Sequence, residues 1–482
     1  MCTIPTPKEF AFKKTLVDVI PPINFLTHNL YSYPAKFIPH VPYYTISKYL
    51  KEDNSIVLDP FSGSSSTAIE ALRLGHNCIC IDINPLTNFL TEVKTQRINF
   101  KLQQKSTSDS KSFISLNKGN RKSGTNNIYL DSFMEKMKDC SDEFFYPNWN
   151  NIDHWYPEEF KHILARIWGF IYSIEANMPV DFMNLTKLCS LYLSRYLSYG
   201  ARDVPKLFKS KRRIQQLETL REKVSKNPEI PYKVFKNKMI SYYTQMKSLS
   251  SILFEKNIFP EYEFTLNKSL LKSVDGDKRK IICLGETDVL SYDFPIENEF
   301  IDLIVTSPPY IYAQEYMRST KLDLYWLDLV NDSRVRELTK KELGNKKTTD
   351  ISIIMYKLRN IKTFNSISKI LEKTERKKYG KNGKYVPLVY NYFYDMYLII
   401  EKLHTKLRKK GYFGFFVGNP TVLGHLMPCH KIFCEIFQDV GFKIIEIGFD
   451  QITSPRLLKG RKNESPQGID AEWLIISRKT NL

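Results

Sequence analysis

The chain has little that would cross-link it, anchor it or export it. Its 482 residues hold eight cysteines (Cys2, Cys78, Cys80, Cys140, Cys189, Cys283, Cys429 and Cys434) and no Cys-x-x-Cys pair. This scatter argues against a disulfide framework and against a zinc ribbon. Cys429, His430 and Cys434 stand close together, but residues 427–437 form an apolar stretch that reads as a helix. Core packing is the expectation there, and no metal site is expected. No apolar run approaches the ~20 residues that a membrane span requires. Residues 1–14 lack an apolar h-region, so no secretory signal is expected. Acids are also scarce, with 52 Asp and Glu against 71 Lys and Arg, a formal charge of +19. The expectation is a reduced, cytoplasmic chain with no membrane partner and with a polyanionic one, nucleic acid being the commonest.

Hydrophobic residues make up 42% and aromatics 13%, enough for one large domain with inserted modules. Two distant stretches have the texture of an α/β sheet. In the first, Ser55-Ile-Val-Leu-Asp59 is a short apolar run ending in an acid, as buried parallel strands do. A small-residue turn, a helix over 67–74 closed by Gly75, and a strand Asn77-Cys-Ile-Cys-Ile-Asp82 complete a βαβ unit. The second stretch predicts strands at 281–284, 300–306, 412–417, 443–449 and 472–477. Its helices are expected at 390–410, with Gly411 as C-cap, and at 429–440. The whole predicts an α/β fold, a doubly wound, mostly parallel, seven-stranded sheet of Rossmann-like type with an inserted, mainly helical region. Residues 1–95 would form its first half and 280–482 its second. Between them, 96–279 would be the insertion, opening on a Ser/Lys/Asn/Gly-rich linker at 103–127 and helical from 153 to 250. A smaller basic insertion occupies 331–384.

The turn Asp59-Pro-Phe-Ser-Gly-Ser-Ser-Ser-Thr67 follows the first strand, where ligands approach doubly wound sheets. Gly63 permits a positive φ and a ligand close to the backbone. Asp82 ends the next strand 23 residues after Asp59, near the ~20-residue interval of a carboxylate that reaches ribose hydroxyls. The turn is neither GxGxxG nor GxxxxGK[ST], which disfavours a dinucleotide and gives nucleotide hydrolysis no support. A nucleoside ligand without phosphates fits better, and S-adenosylmethionine is one. Far along the chain, Thr306-Ser-Pro-Pro-Tyr310 ends another strand. Its prolines cannot continue a central strand and must leave the sheet at its carboxyl end. Ser307 and the Pro308 carbonyl can accept from an exocyclic NH₂, Pro309 stiffens the turn, and Tyr310 can stack on the ring. A duplex base would have to be flipped out to reach such a site.

Together these segments resemble the amino-group DNA methyltransferases, the N4-cytosine and N6-adenine modification enzymes. Residues 59–67 resemble their cofactor motif DPFxGxGTT, and 306–310 resembles [DNST]PP[YFW]. The segment His28-Asn-Leu-Tyr-Ser-Tyr-Pro-Ala-Lys-Phe37 is similar to the one beside the methionine moiety, and Gly285-Glu286 to the Gly-Asp whose acid contacts adenine. The likeness covers about 29–90 and 281–329, including Tyr316, Arg318 and Lys321, and more loosely 390–479. It implies S-adenosylmethionine held by Lys36, Asp59, Phe61, Gly63, Ser65, Asp82 and Glu286, and catalysis by Ser307, Pro308, Pro309 and Tyr310. The implied substrate is double-stranded DNA, and a cognate restriction endonuclease is a candidate partner. Ser65 departs from the motif's second glycine, and the large insertion falls between Asp82 and Gly285. Serine as the first residue of the SPPY core favours cytosine N4, with adenine N6 as the alternative. An RNA base-amine methyltransferase and a non-catalytic DNA-reading subunit are the competing readings. The densest basic runs, 206–213, 373–384 and 456–462, are candidates for phosphate contact.

Overall fold

The short apolar runs become neighbouring strands because each offers alternate side chains to two separate cores. We describe a computed structural model covering residues 4–20, 26–34, 36–103, 114–115, 126–140, 142–201, 207–264, 278–291, 295–311, 316–343, 349–380, 383, 385–452, 469 and 471–480. Its main sheet contains β1 (Lys8–Glu9), β2 (Ile56–Asp59), β3 (Asn77–Asp82), β4 (Phe259–Glu263), β5 (Lys278–Gly285), β6 (Ile301–Thr306), β7 (Leu407–Gly418), β8 (Phe442–Gln451) and β9 (Ala471–Lys479). The spatial order is β1-β8-β9-β7-β6-β2-β3-β5-β4. Only β9 runs antiparallel to its neighbours, β7 and β8. Every other pair is parallel.

Nine strands stand where seven were expected. The two additions are both edges: β1 is two exposed charged residues, and β4 is a half-buried run containing Pro260 and two glutamates. Edge strands are half solvated, so neither has the apolar run that marks a buried strand. β4 also lies within the expected insertion and pairs with β5, from Phe259↔Lys278 to Glu263↔Ile282.

Along β2, Val57 packs on one side with Ile46, Ala68, Ile69 and Leu253, while Leu58 packs on the other with Ile304, Phe393 and Ile400. Helices therefore cover both faces. On the first face lie α1 (His40–Tyr49), α2 (Ser66–Arg73) and the end of the 26-residue α7 (Ile230–Glu255), which follows α3 (Leu86–Thr95), α4 (Glu158–Ile174), α5 (Val180–Tyr196) and α6 (Lys211–Lys226). The large helical layer has its own core, but that core includes Leu86, Leu90 and Val93 of α3 and Met317, Leu322 and Trp326 of α8 (Tyr316–Trp326). Insertion and sheet thus share buried surface. The basic insertion forms α9 (Asp332–Lys341), α10 (Ile351–Lys357) and α11 (Lys362–Tyr379), and α10 and α11 pack on α12 (Tyr385–Lys406).

Two further expectations are corrected. The long helix ends at Lys406, and β7 begins at once. Leu407 pairs with Ile301 and Tyr412 with Leu303, so residues 408–411 bulge between them. Gly411 sits in that bulge, where a Cβ would meet the Leu407 side chain at 2.8 Å. The segment 103–127 is also more than a linker: residues 126–129 pair in parallel with Phe100–Gln103 and antiparallel with 114–115. The rest of it, and the basic run 456–462, lie outside the described residues. The helix α13 (Cys429–Val440) matches its expected span, and Cys429 and Cys434 are buried among Tyr392, Phe433 and Phe437. No helix among the described residues is long and apolar enough to cross a membrane.

Candidate active site

Topology brings the two motif turns together. β2 and β6 are adjacent parallel strands, Leu58 opposite Ile304, so residues 59–67 and 306–310 leave the sheet at the same carboxyl end. One buried carboxylate ties them. Asp59 Oδ1 accepts from the Phe61 amide at 3.1 Å and from the Thr306 hydroxyl at 2.7 Å, while Oδ2 accepts from the Thr67 hydroxyl at 2.6 Å. Asp59 is 1% exposed, and burial raises its pKa to about 6 against the lowering effect of those donors. The side chain is a knot within the protein, joining a helix start, its own loop and the other motif.

Asp82 is placed differently. Its Oδ2 accepts from the Gly63 amide at 2.8 Å and its Oδ1 from the Asn84 amide at 2.8 Å, yet the residue is only half-buried. Burial lifts its carboxyl to about 6 as well. Gly63 has φ +44°, and a Cβ there would lie 3.0 Å from the Tyr33 ring. Ser65 adopts φ +64° at the N-cap of α2. Its hydroxyl is 2.6 Å from that of Thr91 on α3, so its side chain points into the helix packing. Phe61 is half-buried against the core below the loop.

Two lysines flank this loop. Lys36 Nζ bonds the His28 carbonyl and lies 3.0 Å from Asn29 Oδ1, and no carboxylate pairs with it among the described residues. Burial lowers its pKa to about 8. Lys94 is fully buried and donates to the Ser64 carbonyl at 2.8 Å; burial lowers its pKa strongly. Sequence reasoning passed over Lys94, although a lysine inside the apolar face of α3 was a visible signal. It also passed over Glu70 of α2, fully buried and bonded to His28 Nε2 at 2.7 Å and to Arg73. That contact fastens segment 28–37 to the cofactor-side helix. Tyr31 OH and Arg195 of α5 both donate to Asp323 Oδ2, which fastens the same segment to α8.

The second turn is held at three points. Thr306 is anchored by Asp59. The Tyr392 hydroxyl, from α12, donates to the Pro309 carbonyl at 2.8 Å. The Tyr310 hydroxyl donates to Glu472 Oε1 at 2.9 Å, with the Ser307 hydroxyl also facing it. Burial raises the Glu472 carboxyl and pushes the Tyr310 phenol well above its ordinary value. A Cβ on Gly418 would lie 3.0 Å from the Tyr310 ring, so β7 closes one of its faces. Pro308 is buried, Ser307 and Tyr310 are half-buried, and no donor among the described residues engages the Pro308 carbonyl. Beside them, His430 stacks on Trp473 with centroids 3.7 Å apart and bonds Asn419.

Glu286 closes the β5 end. It has φ +64° and is ion-paired with Arg334 of α9, so the basic insertion reaches over this strand end. The neighbouring Gly285 amide donates to Asn88 Oδ1 at 2.8 Å, and the Thr287 amide to the Asp82 carbonyl at 3.2 Å. Lys36, Asp59, Gly63, Ser65, Asp82 and Glu286 therefore surround the ends of β2, β3 and β5, and Ser307 to Tyr310 the adjoining end of β6.

The chain resembles several known proteins. Residues 18–88 match a DNA methylase family of the N6/N4 type. The chain is 23% identical to the type II methyltransferase M.BsoBI of Geobacillus stearothermophilus, over 98% of this chain and 87% of that protein. It is 24% identical to the type II methyltransferase M.MvaI of Kocuria varians, over 86% of this chain and 81% of that protein. A shorter likeness, 32% identical over 23% of this chain and 19% of the relative, links it to the type II methyltransferase M.MjaII of Methanocaldococcus jannaschii. With one match covering the first motif turn and two running along most of the chain, the chain is similar to DNA methylases of the N6/N4 type and to type II methyltransferases.

Proposed function

We propose that the chain methylates the exocyclic amine of a base flipped out of double-stranded DNA, with cytosine N4 as the favoured target and adenine N6 as the alternative. The observation that carries the reading is the Asp59–Thr306 hydrogen bond, which holds a nucleoside-type loop and a rigid Ser-Pro-Pro-Tyr turn side by side. S-adenosylmethionine fits the first. Gly63 keeps the loop backbone bare where a Cβ would crowd Tyr33, Asp82 offers a half-buried carboxylate to ribose hydroxyls, and Lys36 offers an ammonium with no carboxylate partner among the described residues. Glu286 is suited to the adenine amine and Phe61 to the loop's apolar lining, while Ser65 supports the loop from behind. When bound, this cofactor supplies an electrophilic sulfonium methyl.

The residues of the second turn act on the amine. Such a nitrogen is a weak nucleophile because its lone pair is delocalised into the ring. Acceptance of its N–H bonds by Ser307 Oγ and the Pro308 carbonyl favours the pyramidal form and frees the lone pair. Tyr392 occupies the Pro309 carbonyl, which leaves that of Pro308 for the substrate. Tyr310, fixed by Glu472, gives the flipped ring an aromatic face, replacing stacking lost from the duplex. Catalysis then rests on positioning and electrostatics, with no covalent enzyme intermediate. The similar type II enzymes make a cognate restriction endonuclease a natural partner.

The test is methyl transfer from labelled S-adenosylmethionine to DNA from a methylation-free host, followed by digestion to nucleosides and mass spectrometry. Label in N4-methylcytosine is expected. Label in N6-methyladenine moves the target base, label in RNA alone overturns the DNA assignment, and absence of transfer by folded, cofactor-binding protein overturns catalysis by this chain alone.

A further inference from the structure

The basic insertion segregates its charges. On α11, Phe364, Ser368, Leu371 and Glu375 are buried, and Lys362, Lys369, Lys373, Arg376 and Lys377 are exposed. At 100° per residue the two sets lie on opposite sides of the helix. The acids of the same helix are turned to structural tasks. Glu375 accepts from the Tyr385 amide at 2.5 Å and so caps α12, and Glu372 accepts from the Tyr390 hydroxyl. None of the five cations has an ion-pair partner among the described residues, whereas Lys341 and Lys357, on neighbouring helices, are each paired with a glutamate. A row of unpaired like charges repels itself and is stabilised only by an external polyanion.

The helix is also held firmly beside the candidate site. Glu435 of α13 accepts from the Thr363 amide at 2.9 Å at its start. Thr374 bonds His425 Nε2 at 2.9 Å, in the short hairpin (Thr421–Val422 with His425–Leu426) that follows the carboxyl end of β7. The basic run at 206–213 differs. Its Arg213 is buried, donating to the carbonyls of Tyr196 at 2.6 Å and Ser198 at 2.7 Å, and serves to dock α6 on the end of α5.

We propose that the outward face of α11 is a phosphate-contacting rail for duplex DNA, laying the backbone beside the Ser307–Tyr310 turn. The assignment rests on the DNA-methylating function above. The stripe from Lys362 to Lys377 is about 22 Å long, roughly two-thirds of a duplex turn of ~34 Å, so several successive phosphates lie within its reach. It is a regular row of like charges along one helix face, spaced to follow successive backbone phosphates. Its contribution is therefore to affinity and register, not to sequence.

The experiment is equilibrium binding of the full chain to a fluorescent duplex of mixed sequence across a range of salt, comparing the wild type with the triple variant Lys369→Gln, Lys373→Gln, Arg376→Gln. Each lost phosphate contact lowers the slope of log affinity against log salt by ~0.9, so a fall of about 2.7 is expected. The weakening should be at least tenfold at low salt and equal for unrelated duplex sequences. Thermal unfolding should not fall, and should rise slightly as like-charge repulsion is relieved, and the single reversal Lys373→Glu gives a second reading with less change to the helix. A wild type that binds duplex with a slope the variants leave intact overturns the rail while sparing the functional reading. A wild type that binds single-stranded RNA and not duplex overturns both.

Discussion

Replacing Thr306 by valine keeps the shape of the residue and deletes one donor to Asp59. That carboxylate is 1% exposed and has three donors, so the loss leaves a buried acceptor under-satisfied. A hydrogen bond to a charged group contributes about 1.5–3 kcal/mol, against 0.5–1.5 for a neutral pair. Because Thr306 holds the Asp59 pKa down, its removal moves that pKa further above 6. The folded-state value already lies above the ordinary carboxylate value. Stability contributed by this group is therefore greatest below about pH 4 and is lost as pH rises through 6. The loss is steeper in the variant. The stability difference between the two proteins, measured by urea unfolding, is accordingly expected to be about 1 kcal/mol near pH 5, where Asp59 is mostly protonated, and about 1.5–3 kcal/mol at pH 8. Since the same bond fixes the start of the Ser-Pro-Pro-Tyr turn, methyl transfer at pH 8 should fall about tenfold in kcat with little change in cofactor KM. A stability difference that is flat between pH 5 and 8 would refute the assignment of Asp59 as the charged knot between the two turns.

Three further outcomes are expected. Gly63→Ala forces a side chain into φ +44° and to within 3.0 Å of Tyr33, so a stability loss of about 1 kcal/mol or more and at least tenfold weaker S-adenosylmethionine binding should appear in denaturation and calorimetry. Tyr392→Phe removes the hydroxyl that donates to the Pro309 carbonyl; transfer kinetics should show a three- to tenfold lower kcat at unchanged DNA affinity, worth about 1 kcal/mol of positioning. Arg334→Ala releases Glu286 from a partly exposed ion pair worth about 0–1 kcal/mol, so cofactor affinity measured by calorimetry should tighten by up to about fivefold, and weaker binding would mean that Arg334 itself supports the cofactor.

Much of the site is local in the chain. The strands that end in Asp59, Asp82 and Thr306 are apolar because both faces of a parallel sheet are buried, and that leaves an unmistakable run with an acid or hydroxyl at its end. Gly63 and the two prolines announce their backbone needs by residue type. The edge strands are silent for the same reason in reverse: a two-residue Lys8–Glu9 pairing with Gly448 and Phe449 has no pattern to show. Gly411 looked like a helix cap because a glycine after a long apolar helix usually is one, but β7 starts four residues earlier and spends the glycine on a bulge.

What holds the local pieces together is written across long separations. Asp59 meets Thr306 across 247 residues, Tyr31 meets Asp323 across 292, and Tyr310 meets Glu472 across 162. Each pairing needs the sheet order, in which β6 lies beside β2 although β3, β4 and β5 come between them in sequence. Arg213 makes the point for charge: within a run of cations it is indistinguishable from its neighbours, yet burial against two carbonyls removes it from any surface role. α11 is the converse case, since its cations become a coherent face only once Phe364, Leu371 and Glu375 are seen to fill the opposite side. A basic run therefore signifies DNA contact only after its helix has been oriented, and the orientation comes from the apolar residues between the charges.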